Sequence, residues 1–581
     1  MAQQASDDLR FVVAIDLGTT YSCYAFSPIK DQGRDSIFMN RDWTNDDGVR
    51  TSKTPTCLLL KSDLSFDSFG YEAVQKYTGH QDKCRKGGYL FFQHFKMALH
   101  SDETINTETT IKASNGQLVK AKTVIATSIN FLKKEALKVI RTQTGDISAN
   151  DILWVLTVPA IWTPRAKQFM REVAYEAGLG SPDNPNQVLI ALEPEAIFCL
   201  TKDMSTFKSE PGCISVKRQV FSQPNTHFMV VDIGGTTLDV TVHAFKEDGA
   251  IKEIHKVTGS HYGGIYVNQR FESLLEELFG AQELQTYRKQ FPSHWLRLMS
   301  EFESKKRGER ILDDTAMINI RLPRSFVRLV NQTRSPAMAR YGEKEVKLED
   351  EEYLSLSSGM MKKLFTPVME SIKKHLKTLL KKPQLSEVKT IFLVGGFADS
   401  VLLQNEIERE FSKGFRVLIP NCVSLAVVHG AVIFGKEPSK ITEIVVGTTY
   451  GANCARDFIP GVYPEEKKFS ADGIEKCGGL FNLFVKQNAV VRIREKTVTS
   501  KYTLLRATDT EINFSFYAST NPDAKYITDP GMTKLGSVMD TSPDTWRGKD
   551  REIEVSMYFG GTEITATARD ISSGNVCSNH P

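Results

Sequence analysis

Apolar positions along the chain fall into two textures. From Phe11 to about Gly435, short continuous apolar runs alternate with long stretches of helical period. The runs Phe11 to Ile15, Leu153 to Val158, His227 to Val231 and Thr390 to Val394 each stop at Asp, Pro or Gly, which predicts buried strands. Apolar residues at three- and four-residue steps predict helices over Thr123 to Arg141, Arg165 to Ala177 and Tyr353 to Leu380, the last with Pro367 as a point for a kink. Its stripe Met361, Leu364, Phe365, Val368, Met369, Ile372 and Leu376 reads as plain core packing. Strands alternating with helices in this way indicate layered α/β construction. Two stretches read as irregular: Thr206 to Asn225, a connecting loop, and Ser325 to Glu351, which runs into an acidic solvated segment. After Lys436 the period changes to two. Ile512 to Phe516 and Ile553 to Phe559 alternate apolar with polar residues, and the second meets a Gly560-Gly561 turn before Ile564, Ala566 and Ala568. The remainder is therefore expected to be an antiparallel β unit without a helical lid.

Composition narrows the class. A chain of 581 residues should hold about three or four folding units. Lys plus Arg number 73 against 70 acidic residues, a formal charge of +3, which argues against electrostatic binding to nucleic acid or to an anionic membrane. No window has the run of roughly eighteen apolar residues that a membrane helix needs, and Phe11 to Ile15 is too short for a signal-peptide core. The nine cysteines are scattered and never spaced Cys-x-x-Cys, so idle thiols in a reducing compartment are expected, not a disulfide frame or zinc site. The expected location is the cytoplasm, with the nucleus also open.

The candidate chemistry lies in a repeat. Val13 to Thr20 (VAIDLGTT) and Val230 to Thr237 (VVDIGGTT) are the same device 216 residues apart. Each sets a carboxylate at the end of an apolar strand, then glycine, then hydroxyls. Such a turn presents backbone N–H groups to a phosphate, and its Asp suits a hydrated Mg²⁺ that bridges phosphates. Asp-x-Gly alone is common in surface turns, but two copies with matched strands at a domain-sized separation are not. A third apolar run, Ile391 to Val394, enters Gly395-Gly396. Three glycine-ended strands suggest a nucleotide held between two duplicated lobes.

With these motifs the sequence resembles the 70-kDa heat-shock protein family, within the actin and sugar-kinase superfamily. The resemblance rests on Ala14 to Cys23, Thr157 to Ala160, Ala191 to Ala196, Asp232 to Val240, His261 to Gly264 and Leu393 to Gly396. It is strong from Phe11 to about Gly435 and faint beyond, and Thr157 to Trp162, Phe169 to Gly178 and Val394 to Ser400 look most like an atypical branch. The resemblance implies an α/β fold of duplicated actin-like (ribonuclease H-like) ATPase lobes followed by a C-terminal antiparallel β unit. The expected division is an N-terminal tail at 1–10, lobe I at 11–210, lobe II at 226–436 and a β-rich peptide- or partner-binding domain at 437–581.

It also implies ATP or ADP with Mg²⁺ as cofactors. Asp16 and Asp232 would hold the metal through waters, and Gly18, Thr19, Thr20, Tyr21, Gly234, Gly235, Thr236 and Thr237 would line the phosphates. Lys96, Glu193, Asp239 and Thr237 form the expected catalytic set, with Lys96 positioning the attacking water. Glu303, Lys306 and Arg307 match the base- and ribose-contacting triplet, with Gly263, Gly264, Gly395, Gly396 and Phe397 beside the nucleotide.

The departures are as informative. Where the family has a serine and an arginine after the paired glycines, this chain has Phe397 and Asp399, and Asp cannot stack on adenine as a guanidinium does. Lys167 stands at the family's relay arginine, and Lys436 to Thr442 replaces the leucine-rich acidic linker. Interdomain signalling and co-chaperone use are therefore left open. Two functions fit: an ATP-binding, slowly hydrolysing chaperone-like protein that takes client polypeptides by strand addition, or a nucleotide-sensing adaptor that recruits signalling proteins. A metabolite kinase lacks its sugar-pocket motif here, and a filament-forming relative is a further alternative.

Overall fold

A computed structural model describes residues 9–579 except 31–36, 41, 42, 45–47, 49, 80–87, 100–104, 201–223, 333–340, 350, 351, 421, 439, 440, 494, 542–544 and 560–562. The fold is mixed α/β with several sheets. In one, the order is Val188–Leu192, Ile152–Val158, Phe11–Leu17, Tyr21–Pro28 and Phe38–Met39. The first three strands are parallel, and Tyr21–Pro28 returns antiparallel. In another, Arg416–Leu418, Val388–Val394 and His227–Ile233 are parallel, and Leu238–Phe245 and Ile251–Ser260 follow antiparallel. Strand order and direction thus match in the two sheets. All four predicted strands are present, each extended by one to two residues at an end.

Their burial explains the sequence pattern. Phe11–Leu17 is buried at every position because helices cover both faces of its sheet. Helix Ala121–Thr144 packs Val124, Ile125, Ile129 and Leu132 with Val13, Ile15 and Leu17 on one side. On the other, helices Glu193–Leu200 and Ala426–Lys436 put Ala196, Val428, Ala431 and Val432 into a core shared with Val12 and Ala14 and with Val230 and Val394 of the other sheet. Among the described residues no helix is long and apolar enough to cross a membrane.

Three expectations change. Tyr353 to Leu380 is not one helix: Tyr353–Ser357 is a strand, and the helix is Ser358–Leu380. Ser357 ends the strand by accepting a hydrogen bond from Met360 N at 3.0 Å, an N-cap. The helix continues through Pro367, and all seven residues of the predicted stripe are buried in one core. Nor is Ser325 to Glu351 irregular where it is described. Arg324–Gln332 is a helix anchored by Phe326, whose ring meets those of Phe279 and Tyr287 edge-on at 5.3 and 5.0 Å. Val346–Glu349 is a strand paired with Tyr353–Ser357, so Leu348 and Glu349 at the start of the acidic run lie in a sheet. The third concerns the segment after Lys436. Ile441–Val445 adds to the sheet of His227–Ile233 as a strand parallel to Ile251–Ser260, and Val490–Arg492 pairs beyond it. The loop expected at 206–225 and the Gly560-Gly561 turn lie outside the described residues, except for 224 and 225.

The remaining C-terminal strands form two antiparallel sheets. One runs Lys468–Ala471, Ile474–Val485, Thr449–Asp457, Glu511–Ser519, Met532–Thr541; the other runs Lys496–Thr503, Glu552–Phe559, Ile564–Asp570, Val576–Asn579. Their inner faces share Tyr450, Phe484, Phe514, Phe516, Val538, Ile553, Val555 and Met557. One ion pair ties this part to the first sheet's helix layer. Arg171, on helix Pro164–Glu176, donates through Nε and Nη2 to the Glu563 carboxylate and also through Nη2 to Val188 O. The Arg171 side chain is 5% exposed and that of Glu563 14%. Removing one partner of a buried pair strands the other charge, so Arg171→Met is expected to cost about 3 kcal/mol. Adding Glu563→Met should recover most of that loss. Guanidinium unfolding reads both, and a single variant as stable as the parent would show that the pair is not a clamp.

Candidate functional site

The site is built from the ends of four strands. Phe11–Leu17 carries Asp16 and His227–Ile233 carries Asp232, each next to the strand's last residue. Each chain then turns through glycine and returns antiparallel from Tyr21 and Leu238. The two turns face each other, with Thr19 Oγ1 and Thr236 Oγ1 3.1 Å apart. Between them is a cavity of about 340 Å³, within the range of small-molecule sites. It is lined by Asp16, Gly18, Thr19, Thr20 and Tyr21, by Asp232, Gly234, Gly235, Thr236 and Thr237, and by Lys96, Glu193, Arg307, Gly395 and Gly396. A recess of about 20 Å³ is lined by Gly264, Glu303, Lys306 and Phe397 together with Thr20, Gly235, Arg307 and Gly396.

Two predicted site residues stand behind the cavity. Asp239 is the cross-strand partner of Asp232, is 1% exposed, and accepts from Ile161 N at 2.9 Å. It therefore braces the turn after Pro159 and does not line the cavity. Gly263 backs the second turn, where a Cβ would come within 2.5 Å of Gly235 C and Thr236 N. Gly395 has φ +98°, and a Cβ there would lie 2.2 Å from Asp232 Oδ1 and 2.5 Å from Ile233 O. Only glycine lets this backbone pass so close to the carboxylate.

Charge in the site is arranged in two groups. At the first, Lys96 Nζ donates to Glu193 Oε1 at 3.1 Å and lies 5.2 Å from the centre of the Trp162 ring. Thr157 Oγ1 donates to Asp16 Oδ1 at 3.1 Å, while Lys53 Nζ reaches Asp16 Oδ2 at 3.3 Å. Burial, then the carboxylates of Glu193, Asp239 and Asp16, push Asp232 well above the usual carboxyl range. Burial and Glu193 push Asp239 up to about 7. Burial also raises Glu193, against the Lys96 ammonium. Asp232 Oδ2 has no hydrogen-bond partner among the described residues. A hard divalent cation relieves this surplus of negative charge, and carboxylate oxygens are its preferred donors. Among the described residues no group of three or more His, Cys, Asp or Glu could hold an ion directly. The carboxylates of Asp16 and Asp232 on the cavity wall are oxygen donors that fit such a cation.

The second group is at the recess. Glu303 accepts from Lys306 at 2.6 Å and Asn268 at 2.9 Å through Oε2, and from Arg307 at 3.0 Å through Oε1. Burial would raise the Glu303 carboxyl, but Lys306 and Arg307 outweigh it and hold it below its usual range. The triplet is therefore paired within itself. The Arg307 guanidinium lies 4.9 Å from the centre of the Tyr21 ring, and Phe397 is buried against Phe365 with centroids 5.9 Å apart. Asp399 lines the main cavity and faces Lys53 and Arg307 electrostatically.

Sequence reading missed Lys53, Tyr71, Ser424 and Val427, which also line the cavity. No glycine turn or buried strand marks Lys53. It arrives because Thr54–Pro55 pairs with Tyr21 and Ser22, a long-range contact without a local signal.

A family model described as a domain of unknown function (DUF8340) matches residues 222–384. The chain is 36% identical over 97% of its length to heat shock 70 kDa protein 12A of Mus musculus, covering 90% of that protein. It is 36% identical over 98% of its length to heat shock 70 kDa protein 12B of Homo sapiens, again covering 90%. Chaperone protein DnaK of Thermosipho melanesiensis is 24% identical over 98% of this chain and 80% of its own. With two facing Asp-x-Gly turns on sheets of one topology and this extent of similarity, the chain belongs to the 70-kDa heat-shock protein family, in the branch of heat shock 70 kDa proteins 12A and 12B.

Proposed function

We propose that the chain binds ATP or ADP with Mg²⁺ between two duplicated actin-like lobes, turns ATP over slowly and couples the bound state to a C-terminal β domain that holds extended polypeptide. The observation that carries this reading is the pair of facing turns, Thr19 against Thr236, around a cavity of nucleotide size. Family membership supports nucleotide binding with a metal ion. In this reading the lobes are 11–210 and 226–436, and 437–581 is the polypeptide-binding part apart from the strands Ile441–Val445 and Val490–Arg492, which extend the sheet of His227–Ile233.

Asp16 and Asp232 would hold the metal through waters, and Gly18 to Tyr21 and Gly234 to Thr237 would cradle the phosphates with backbone N–H groups. Bound Mg²⁺ supplies neutralisation of the phosphate charge. Lys96, held by Glu193 and close to Trp162, presents an ammonium to the charge that develops on a transferred phosphoryl group, and Glu193 orients the attacking water. Thr237 lines the cavity and would offer its hydroxyl to the phosphates, while Asp239 fixes the Pro159 turn through Ile161 N. Gly264, Glu303, Lys306, Arg307 and Phe397 would meet the nucleoside, with Gly263 behind them. Lys306 has its three protons on Gly264 O, Asn268 Oδ1 and Glu303, whereas Glu303 accepts from three donors and keeps a lone pair that an entering ribose hydroxyl would meet.

Lys53 on Asp16 Oδ2 favours a second reading, a nucleotide-sensing adaptor in which hydrolysis is incidental, because a fixed ammonium competes for the carboxylate. One titration separates the two. The affinity of a labelled unfolded polypeptide for the full chain is expected to fall about tenfold on going from ADP to ATP. Equal affinity in both states, with nucleotide bound, removes the chaperone reading and leaves the adaptor.

A further inference from the structure

A second cavity of about 350 Å³ lies away from the turns, where the two large sheets, the strand Ile441–Val445 and the C-terminal sheets meet. Its walls are largely apolar, with Trp162, Leu192, Ile444, Tyr450, Phe559 and Ile564 among them. One end is acidic: Glu195, Glu253 and Glu563 line it together with Lys167 and His243. Glu563 is already engaged by Arg171, and Glu195 accepts from Leu192 N at 3.2 Å.

Glu253 differs from these. It is 7% exposed and accepts from Val445 N at 2.9 Å through Oε2; Oε1 makes no full hydrogen bond among the described residues, the Val257 backbone N–H being near enough only to favour the charged form. Thr241 Oγ1, on a residue 3% exposed, lines the same end and has no hydrogen-bond partner among the described residues. The register of Leu238–Phe245 against Ile251–Ser260 shifts between Val240 and His243, a bulge that re-aims residues along this stretch. Burial pushes the Glu253 carboxyl up to about 8, so near neutral pH it carries a proton that a cationic head displaces as it binds. His243 beside it is held neutral by burial, down to about 3, so it offers no cation to Glu253. Lys167 is shared electrostatically among Glu195, Asp239, Glu253 and Glu563.

Acceptors left over at one end of an apolar chamber specify a ligand with a positive head and a hydrocarbon body. We propose that this cavity is a binding site for a small organic cation, an alkylammonium or alkylguanidinium, whose head is taken by Glu253 and Thr241 and whose chain lies between Ile444, Tyr450 and Phe559. Because Glu253 also holds Val445 N, the ligand's head touches the group that seats the strand Ile441–Val445. The site shares no lining residue with the nucleotide cavity and stands independently of the nucleotide reading.

The test is calorimetry on the full chain with hexylammonium chloride, with 1-hexanol and hexanoate as shape-matched controls. Hexylammonium is expected to bind one per chain, at least tenfold more tightly than either control. Glu253→Gln should weaken it about tenfold and Thr241→Val about threefold, with ADP affinity unchanged in both variants. Should Glu253→Gln not fold, Thr241→Val and the parent's ranking of the three probes still decide. Hexanol binding as tightly as hexylammonium, no hexylammonium binding at millimolar concentration, or undiminished binding in the folded variants would each overturn the proposal.

Discussion

Gly395→Val is expected to lower stability by about 3 kcal/mol and to reduce nucleotide affinity about a thousandfold. At φ +98° a branched side chain is strained, and its Cβ would fall 2.2 Å from Asp232 Oδ1. The strand Val388–Val394 is parallel to His227–Ile233 with Val394 beside Asp232, so the backbone cannot retreat without unpairing the sheet. What moves instead is the Asp232 carboxylate, together with the turn that follows it. Gly396→Ala is the control. It has no positive φ, and its Cβ would meet nothing within 4 Å, so stability should stay near the parent's. Thermal unfolding and ADP calorimetry on the two variants read the contrast. Equal losses in both would show that the close approach at Gly395 is not what shapes the site.

Asp232→Asn separates binding from stability. The parent buries Asp232 beside Glu193, Asp239 and Asp16 with Oδ2 unpartnered among the described residues, an arrangement that costs free energy without a cation. The amide removes that charge. The nucleotide-free chain should therefore gain about 1 kcal/mol, while affinity for Mg²⁺-ATP falls roughly a hundredfold. Nucleotide measured in EDTA should bind the variant at least as tightly as the parent, since one carboxylate facing the phosphates is gone. A variant that lost stability and kept its Mg²⁺-dependent affinity would take Asp232 out of the metal's surroundings.

Local signals made the turns legible. A buried strand, a carboxylate, a glycine and a hydroxyl follow one another within eight residues, and Val13 to Thr20 and Val230 to Thr237 could be compared directly. The strand Tyr353–Ser357 was absorbed into a helix because Leu354 and Leu356 fit a period of two as well as they extend the helical stripe; the boundary rests on the Ser357 cap. The helix Arg324–Gln332 carries Phe326, Val327, Leu329 and Val330 at helical spacing, but nine residues offer only one such cluster, too short a stretch to stand out from the polar residues around it. The linker's place as a sheet strand was hidden because Ile441 to Val445 reveals its partner only through the pairing of Ile251 with Ile441.

Within the site the same distinction holds. The glycines and aspartates were found because each belongs to a motif, whereas Lys53 and Tyr71 reach the cavity from loop and helix ends with no pattern of their own. The pairing of Glu303 with Lys306 and Arg307 follows from their i,i+3 and i,i+4 spacing, whereas the bridge through Asn268 of another helix has no local signal. Still less visible was the acidic chamber. Lys167, Glu253, Val445 and Glu563 are distant in sequence and meet only when the sheets assemble.

Titrating the full chain with ATP, ADP and GTP in the presence of Mg²⁺ tests the central claim most directly. One nucleotide per chain should bind, ATP and ADP should compete for one site, and Gly395→Val should give no heat over the same range. Binding that survives in Gly395→Val with parent affinity, or no binding of either adenine nucleotide to the folded parent, would contradict a nucleotide site between the Asp16 and Asp232 turns.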